Sequence, residues 1–534
     1  MTKINDKLYL RANVVLEPLV NQWYAWPHLI SPMTSSMILD LQLKIMESFI
    51  KAPKMHISNA KLMPGGLFLN CEENQVKDIL NLIEKTKQKN HELLAFAEGV
   101  RELNKYLIEH AEGDSLSQFY DSVPTPLKGY IELGYDLYNN PSIRFFEALL
   151  YHSKYYNLEN QSISLYLADY SERAFVLSTP RLHNSKKVTL NIPFNHDIID
   201  KVFASRDKPI NAEIISEMLN LSDDKEKDRP LIESFFTKDF IPPEALMNKI
   251  DENHMHIRYF NHATLLVNFK DCTILTDPIV GYKSSEAFDN FSFDSLPSRI
   301  NYVLLTHAHQ DHVVLETLLQ LRHKIDTIVV PKNNSGFLQD PSLRLALINC
   351  GFLNVIELGE METIKLPHGS ITAIPSLGEH GDLHIASKLG FVIEGVNKKI
   401  LIGADSNNIQ SELYDHIHSI IGKIDCIFLG MECEGAPMSW LYGPLMTKPL
   451  SRKFDQNRRL NGSNCERALQ LIKRFSPKSV YIYAMGEEPW LTFISSIKYT
   501  EESAPIIESN KLIQNCLSQG IYSERLYMKK DIII

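Results

Sequence analysis

The stretch Val303-Leu304-Leu305-Thr306-His307-Ala308-His309-Gln310-Asp311-His312 constrains this chain more than any other. An apolar, strand-like run stops abruptly and gives way to His-x-His-x-Asp-His, which packs four metal-ligating side chains into six residues. Imidazole and carboxylate both bind first-row transition metals. Spaced this closely on one loop, they can serve two adjacent ions. A single histidine is ordinarily a hydrogen-bonded core or surface residue, but four ligand types directly after a strand are not accounted for that way.

The remaining bulk properties narrow the setting. At 534 residues the chain exceeds one ordinary core, so two or more domains are expected. A formal charge of -10 with no basic stripe argues against nucleic acid as a partner. Seven cysteines are scattered and never form Cys-x-x-Cys, a pattern of free thiols in a reducing compartment. No apolar signal core follows Met1-Thr2-Lys3, and no run of 18 apolar residues occurs, so no membrane partner and a cytoplasmic location are expected.

Along the chain, residues 33–51 predict a helix carrying Met37, Leu41, Ile45 and Phe49 on one face. Trp23 and Trp26, in Trp-Tyr-Ala-Trp-Pro, read as packing residues. Residues 75–112 are helical in pattern, 164–178 predict one or two strands, and the charge run 221–230 reads as a solvated loop. Ile241-Pro242-Pro243 stiffens the chain and excludes helix and central strand, which puts a domain boundary at 240–250 and two domains at 1–245 and 246–534. Beyond it come a hairpin at 263–276 ending in Asp277-Pro278, the strand that delivers the His-rich loop, and further strands alternating with helices. Such a pattern implies two sheets packed face to face and covered by helices. Additional ligands belong at strand ends, where Glu379 and His380 (after Ile374-Pro375-Ser376-Leu377-Gly378) and Asp405 (after Leu401-Ile402-Gly403-Ala404) are candidates.

The Asp-Pro hairpin end, the His-x-His-x-Asp-His loop and the Gly-Ala-Asp strand end resemble the metallo-β-lactamase fold over residues 254–534. The fold class implied is α/β, with a C-terminal metallo-β-lactamase αββα sandwich and an N-terminal α+β domain. In hydrolases of that fold a histidine after a glycine completes the first metal site, whereas here Glu379 follows Gly378. Two histidines and a carboxylate suit oxygen-activating iron, and an all-histidine set suits zinc hydrolysis. No histidine follows His418, so the usual last ligand is missing, and the second ion would keep an open position or take a carboxylate such as Glu487.

With Trp-Tyr-Ala-Trp-Pro and Gly430-Met431-Glu432-Cys433-Glu434-Gly435-Ala436-Pro437, the whole chain resembles the diiron β-hydroxylases of nonribosomal peptide biosynthesis. The resemblance implies that His307, His309 and Glu379 bind one iron, that Asp311, His312 and Asp405 bind the other, and that Glu379 is the residue deciding the catalysis. It implies two iron ions, dioxygen as co-substrate, an external two-electron donor, and an amino acid held as a thioester on a peptidyl carrier domain of a nonribosomal peptide synthetase. A homodimer, with the N-terminal domain in its interface, is also implied. Trp440 and Tyr442 are candidates for the pocket wall, with plain packing as the competing reading. Two rivals stand beside this one. One is a zinc hydrolase of the same fold acting on a thioester, lactone or phosphodiester, with His380 replacing Glu379; the other is a non-enzymatic synthetase partner with a degenerate site.

Overall fold

The computed structural model of the chain describes residues 7–63, 66–168, 173–240, 252–283, 288–448 and 450–534. The domain boundary expected at residues 245 and 246 lies outside the described residues.

Two seven-stranded sheets organise the C-terminal part. In the first, Lys530–Ile533, His256–Asn261, Thr264–Phe269 and Cys272–Thr276 pair antiparallel, and Ile300–Leu304, Ile325–Pro331 and Val355–Leu358 continue in parallel. The second repeats the scheme: Thr363–Leu366, Gly369–Pro375, Leu389–Gly395 and Lys398–Ile402 are antiparallel, then Cys426–Leu429, Ser479–Ile482 and Tyr522–Arg525 run parallel. Parallel neighbours end at the same edge of a sheet, so the loops after them converge.

Period-two alternation explains why the sheets stack. Leu265, Val267 and Phe269 point into the inter-sheet core with Phe391, Ile400 and Ile402, while Leu266 and Val303 face the opposite side. On the outer face of the second sheet, Leu401, Ile427 and Val480 pack under the helices Ser411–Ile421, Cys465–Phe475 and Ala504–Ser518. The result is the expected αββα sandwich.

Residues 7–240 build helices against small sheets. The largest of these sheets pairs Trp23–Tyr24, Val14–Val20, Gln161–Leu167 and Val188–Leu190. Leu93, Phe96, Ala97, Val100, Leu103 and Leu107 make one buried stripe of the helix His91–His110, which packs against Pro32–Lys51. This part does not stand apart from the sandwich. One apolar core joins Leu16, Ile163 and Phe203 to Leu266 and Leu318, and another joins Trp26 and Phe96 to Met438 and Tyr442. Across the same contact the buried Arg322 pairs with Asp200 at 3.0 Å and donates to the Phe194 carbonyl.

Several local expectations need correction. The charge run at 221–230 is not a loop: Lys225–Ser234 is a helix, capped where Asp224 accepts from the Lys227 amide at 3.2 Å, with Pro230 inside it. Its charge pattern misleads because the helix buries little more than Asp228 and Ile232. The strand expected at 164–178 begins earlier and ends at Leu167, where its partner Val14–Val20 begins.

Candidate metal centre

All the expected ligands arrive at one edge of the sandwich. Ile300–Leu304 delivers the His307–His312 loop, and the parallel strand beside it, Cys272–Thr276, delivers Asp277. From the second sheet Lys398–Ile402 delivers Asp405, and Gly369–Pro375, two strands over and running the same way, delivers Glu379. The chain turns sharply at these ends: Asp277, Glu379 and Ala404 all have positive φ, at 34°, 68° and 44°. Non-glycine residues in that region each cost roughly 1–3 kcal/mol, and such strain concentrates at functional sites.

Two groups of ligand atoms, each within 4.8 Å of one another, lie side by side: His307, His309 and Glu379 in one, His307, His312 and Asp405 in the other. His309 Nδ1 is 2.8 Å and His307 Nε2 is 3.4 Å from the Glu379 carboxylate. His312 Nε2 is 2.9 Å from Asp405 Oδ2, which is also 3.9 Å from His307 Nε2, so Asp405 stands between the two groups. Asp311 falls in a third group, with His262 and His312.

The electrostatics are those of a site built for cations. Burial, and then neighbouring imidazoles, hold His307 well below its usual pKa, so its ring is a neutral, ligand-ready donor. Burial works against charge on His312 as well, but the Asp405 and Asp277 carboxylates outweigh it and hold a proton on the ring. Glu379 is pushed well above the carboxylate range by burial and by Asp405. His307 Nε2, Glu379 Oε2 and Asp405 Oδ1 are buried with no hydrogen-bond partner among the described residues. Buried polar atoms facing one another with no hydrogen-bond partner among the described residues are what metal ions would satisfy. The donor set therefore fits two ions, and its two-histidine, one-carboxylate half suits iron.

Outer contacts aim the ligands. Asp277 accepts from the Thr306 amide and hydroxyl at 2.8 and 2.6 Å, and its Oδ2 lies 2.9 Å from His312 Nδ1, leaving Nε2 for the site. His309 Nε2 lies 2.9 Å from the Tyr442 hydroxyl, leaving Nδ1 turned to Glu379. Tyr442 is thus more than a wall, whereas Trp440 packs against Phe175. Behind Tyr442 stand His28 and the stacked Trp26, contributed by the N-terminal part. His380 bonds the Gly378 carbonyl through Nδ1 at 3.0 Å and lays its ring against His309, outside the ligand groups.

Three contributors escaped the sequence reading. His262, on the turn after His256–Asn261, reaches 3.6 Å from Asp311, and burial and His312 lower its pKa to about 3. Glu432 lies within electrostatic reach of the cluster, its carboxyl pushed up by burial and by Asp405, Asp311 and Glu379. His28 is buried with neither ring nitrogen partnered among the described residues. Glu487, the candidate replacement for the missing last ligand, sits 3.1 Å from Arg525 and belongs to none of the ligand groups.

A sandwich of this kind with paired ligand groups at its strand ends defines a metal-dependent enzyme of the metallo-β-lactamase fold. Residues 273–482 match the family model for the beta-lactamase superfamily domain, and residues 9–239 match the one described as the diiron non-heme beta-hydroxylase N-terminal domain. The chain belongs to the diiron non-haem β-hydroxylases. It is 32% identical over 531 residues to the 4-amino-L-phenylalanyl-(CmlP-peptidyl-carrier-protein) 3-hydroxylase of Streptomyces venezuelae, covering 98% of this chain and 99% of that one. The crystal structure of CmlA, a diiron beta-hydroxylase from Streptomyces venezuelae, matches with a TM-score of 0.92 at 32% identity, over 99% of this chain and 100% of that one. A metal-dependent hydrolase of Flavobacterium johnsoniae is 29% identical over 154 residues, 28% of this chain and 62% of its own. Likeness to that hydrolase covers 28% of this chain, whereas likeness to the hydroxylase runs over 98% of it.

Proposed function

We propose that this chain is a dioxygen-dependent diiron monooxygenase that hydroxylates the β-carbon of an amino acid tethered as a thioester to a peptidyl carrier domain. The observation that carries the reading is Glu379 in the ligand group with His307 and His309, while His380 lies outside it. The full-length relationship to a carrier-protein-dependent 3-hydroxylase supports the tethered substrate.

In this reading His307, His309 and Glu379 would hold one iron, and Asp311, His312 and Asp405 would hold the other. When bound, the two irons supply the one-electron oxygen chemistry that no side chain performs, fed by an external two-electron donor. The protein's part is to hold and shield. Asp277 keeps His312 turned toward Asp405, and Tyr442 keeps Nδ1 of His309 turned inward. Ala308 and Val313 back the loop with buried apolar surface that excludes water. Two domains, 1–245 and 246–534, a homodimer and a cytoplasmic location complete the proposal; seven free cysteines support a reducing compartment.

Metal analysis tests it. About two irons per chain with a visible absorption band is expected for this ligand set, and a colourless protein holding zinc would overturn it.

A further inference from the structure

A cleft of about 1010 Å³ opens between the N-terminal part and the sandwich, its lining free of the ligand-group residues. Among its described lining residues four cations, Arg173, Arg181, Lys186 and Lys187, face two carboxylates, Glu17 and Glu316. Glu17 is the anchor. Its side chain is fully buried, with Arg181 at 2.8 Å, Lys187 at 3.1 Å and Arg173 at 3.7 Å. Burial alone would raise its pKa, but the three cations bring it down to about 2, so it stays charged and holds them in place. Arg173 is spoken for by Glu316 at 2.8 Å and lies 3.3 Å over the Phe493 ring.

What remains unsatisfied is of one kind. Arg181 gives Nε to Glu17 and Nη1 to the Thr179 carbonyl, but its Nη2, on a side chain only 7% exposed, has no partner among the described residues. Trp490 Nε1, also lining the cleft, has none either. Guanidinium and indole nitrogens only donate, so the missing ligand brings acceptors, and the surplus of cations calls for an anion. The volume far exceeds an inorganic ion and falls at the upper end for organic ligands. Tyr166, Tyr282, Trp490 and Phe493 give it apolar walls. Its inner end backs onto the metal loop: Val314 follows His312 by two residues, and Ile279 follows Asp277 by two.

From this cleft we infer a binding site for the phosphopantetheine arm of the carrier domain, its phosphate at the Arg181 and Lys187 end and its pantetheine chain along Trp490 and Phe493. The assignment rests on the carrier-bound substrate of the proposed function. No covalent step occurs in the cleft; it seats the arm and orients it toward the neighbouring loop.

Calorimetry on the full, iron-loaded chain tests it, with free phosphopantetheine, pantetheine lacking the phosphate, and inorganic phosphate as probes. Phosphopantetheine is expected to bind about tenfold more tightly than pantetheine, the value of one charged hydrogen-bond contact. Lys186→Glu, at an exposed position, and Trp490→Phe, which keeps an aromatic ring and removes the donor, are expected to weaken it without the folding risk of breaking the Arg181–Glu17 pair. Equal binding of pantetheine, inorganic phosphate as tight as the whole arm, or unchanged affinity in both variants overturns the assignment. Carrier-bound substrate separates the two readings. If both variants hydroxylate it with an unchanged KM, the cleft assignment falls and the proposed function stands; if the unaltered chain transfers no oxygen, the function falls, and the phosphate preference still decides the cleft.

Discussion

Oε1 of Glu379 lies 2.8 Å from Nδ1 of His309, at a position where a hydrolase of this fold would present a third imidazole. The backbone there, with φ at 68°, is a left-handed conformation that histidine tolerates better than most residues. Glu379→His is therefore expected to fold, to lose iron in favour of zinc, and to lose oxygen-dependent activity by about 100-fold or more. Metal content and turnover measured on one preparation check both effects.

Tyr442 acts through His309. Replacing it with Phe keeps the packing against His28 but leaves the Nε2 side of a buried imidazole without its partner. A loss of about 10- to 100-fold in iron affinity is expected, the range for outer partners of ligating histidines. Iron titration of the apo-protein, with circular dichroism to show an unchanged fold, checks it.

Glu17 joins stability to pH. Its folded pKa of about 2 lies below the ordinary 4.5, so its contribution is fully present above 4.5 and fades as pH falls toward 2. Glu17→Gln leaves Arg181, Lys187 and Arg173 facing a neutral group and should cost about 3–5 kcal/mol at neutral pH. Denaturant unfolding at pH 7 and across the acid range checks both the loss and the missing acid dependence.

The extent to which these features could be read from the chain follows from how local their causes are. The His307–His312 loop was legible because its ligands are contiguous and follow a strand, and Asp405 because it ends one. Short strand-like runs alternating with helical stretches marked the paired sheets. Glu379 and His380 are neighbours in sequence, and only the turn after Gly369–Pro375 separates their directions. His262, Glu432 and His28 were invisible because each reaches the centre from a distant segment through the topology alone. Lys530–Ile533 escaped for the same reason: four residues read as a strand only beside His256–Asn261. In Lys225–Ser234 a charged surface masked a helix that depends on its cap.

The central claim is that this centre puts oxygen on a tethered amino acid. Mass spectrometry of a carrier domain loaded with an aminoacyl thioester, after incubation with the reduced protein and dioxygen, tests it most directly. The account predicts a gain of one oxygen atom on the β-carbon of the tethered amino acid and none on the free amino acid. Release of the amino acid by thioester hydrolysis, with no oxygen gained, would contradict it.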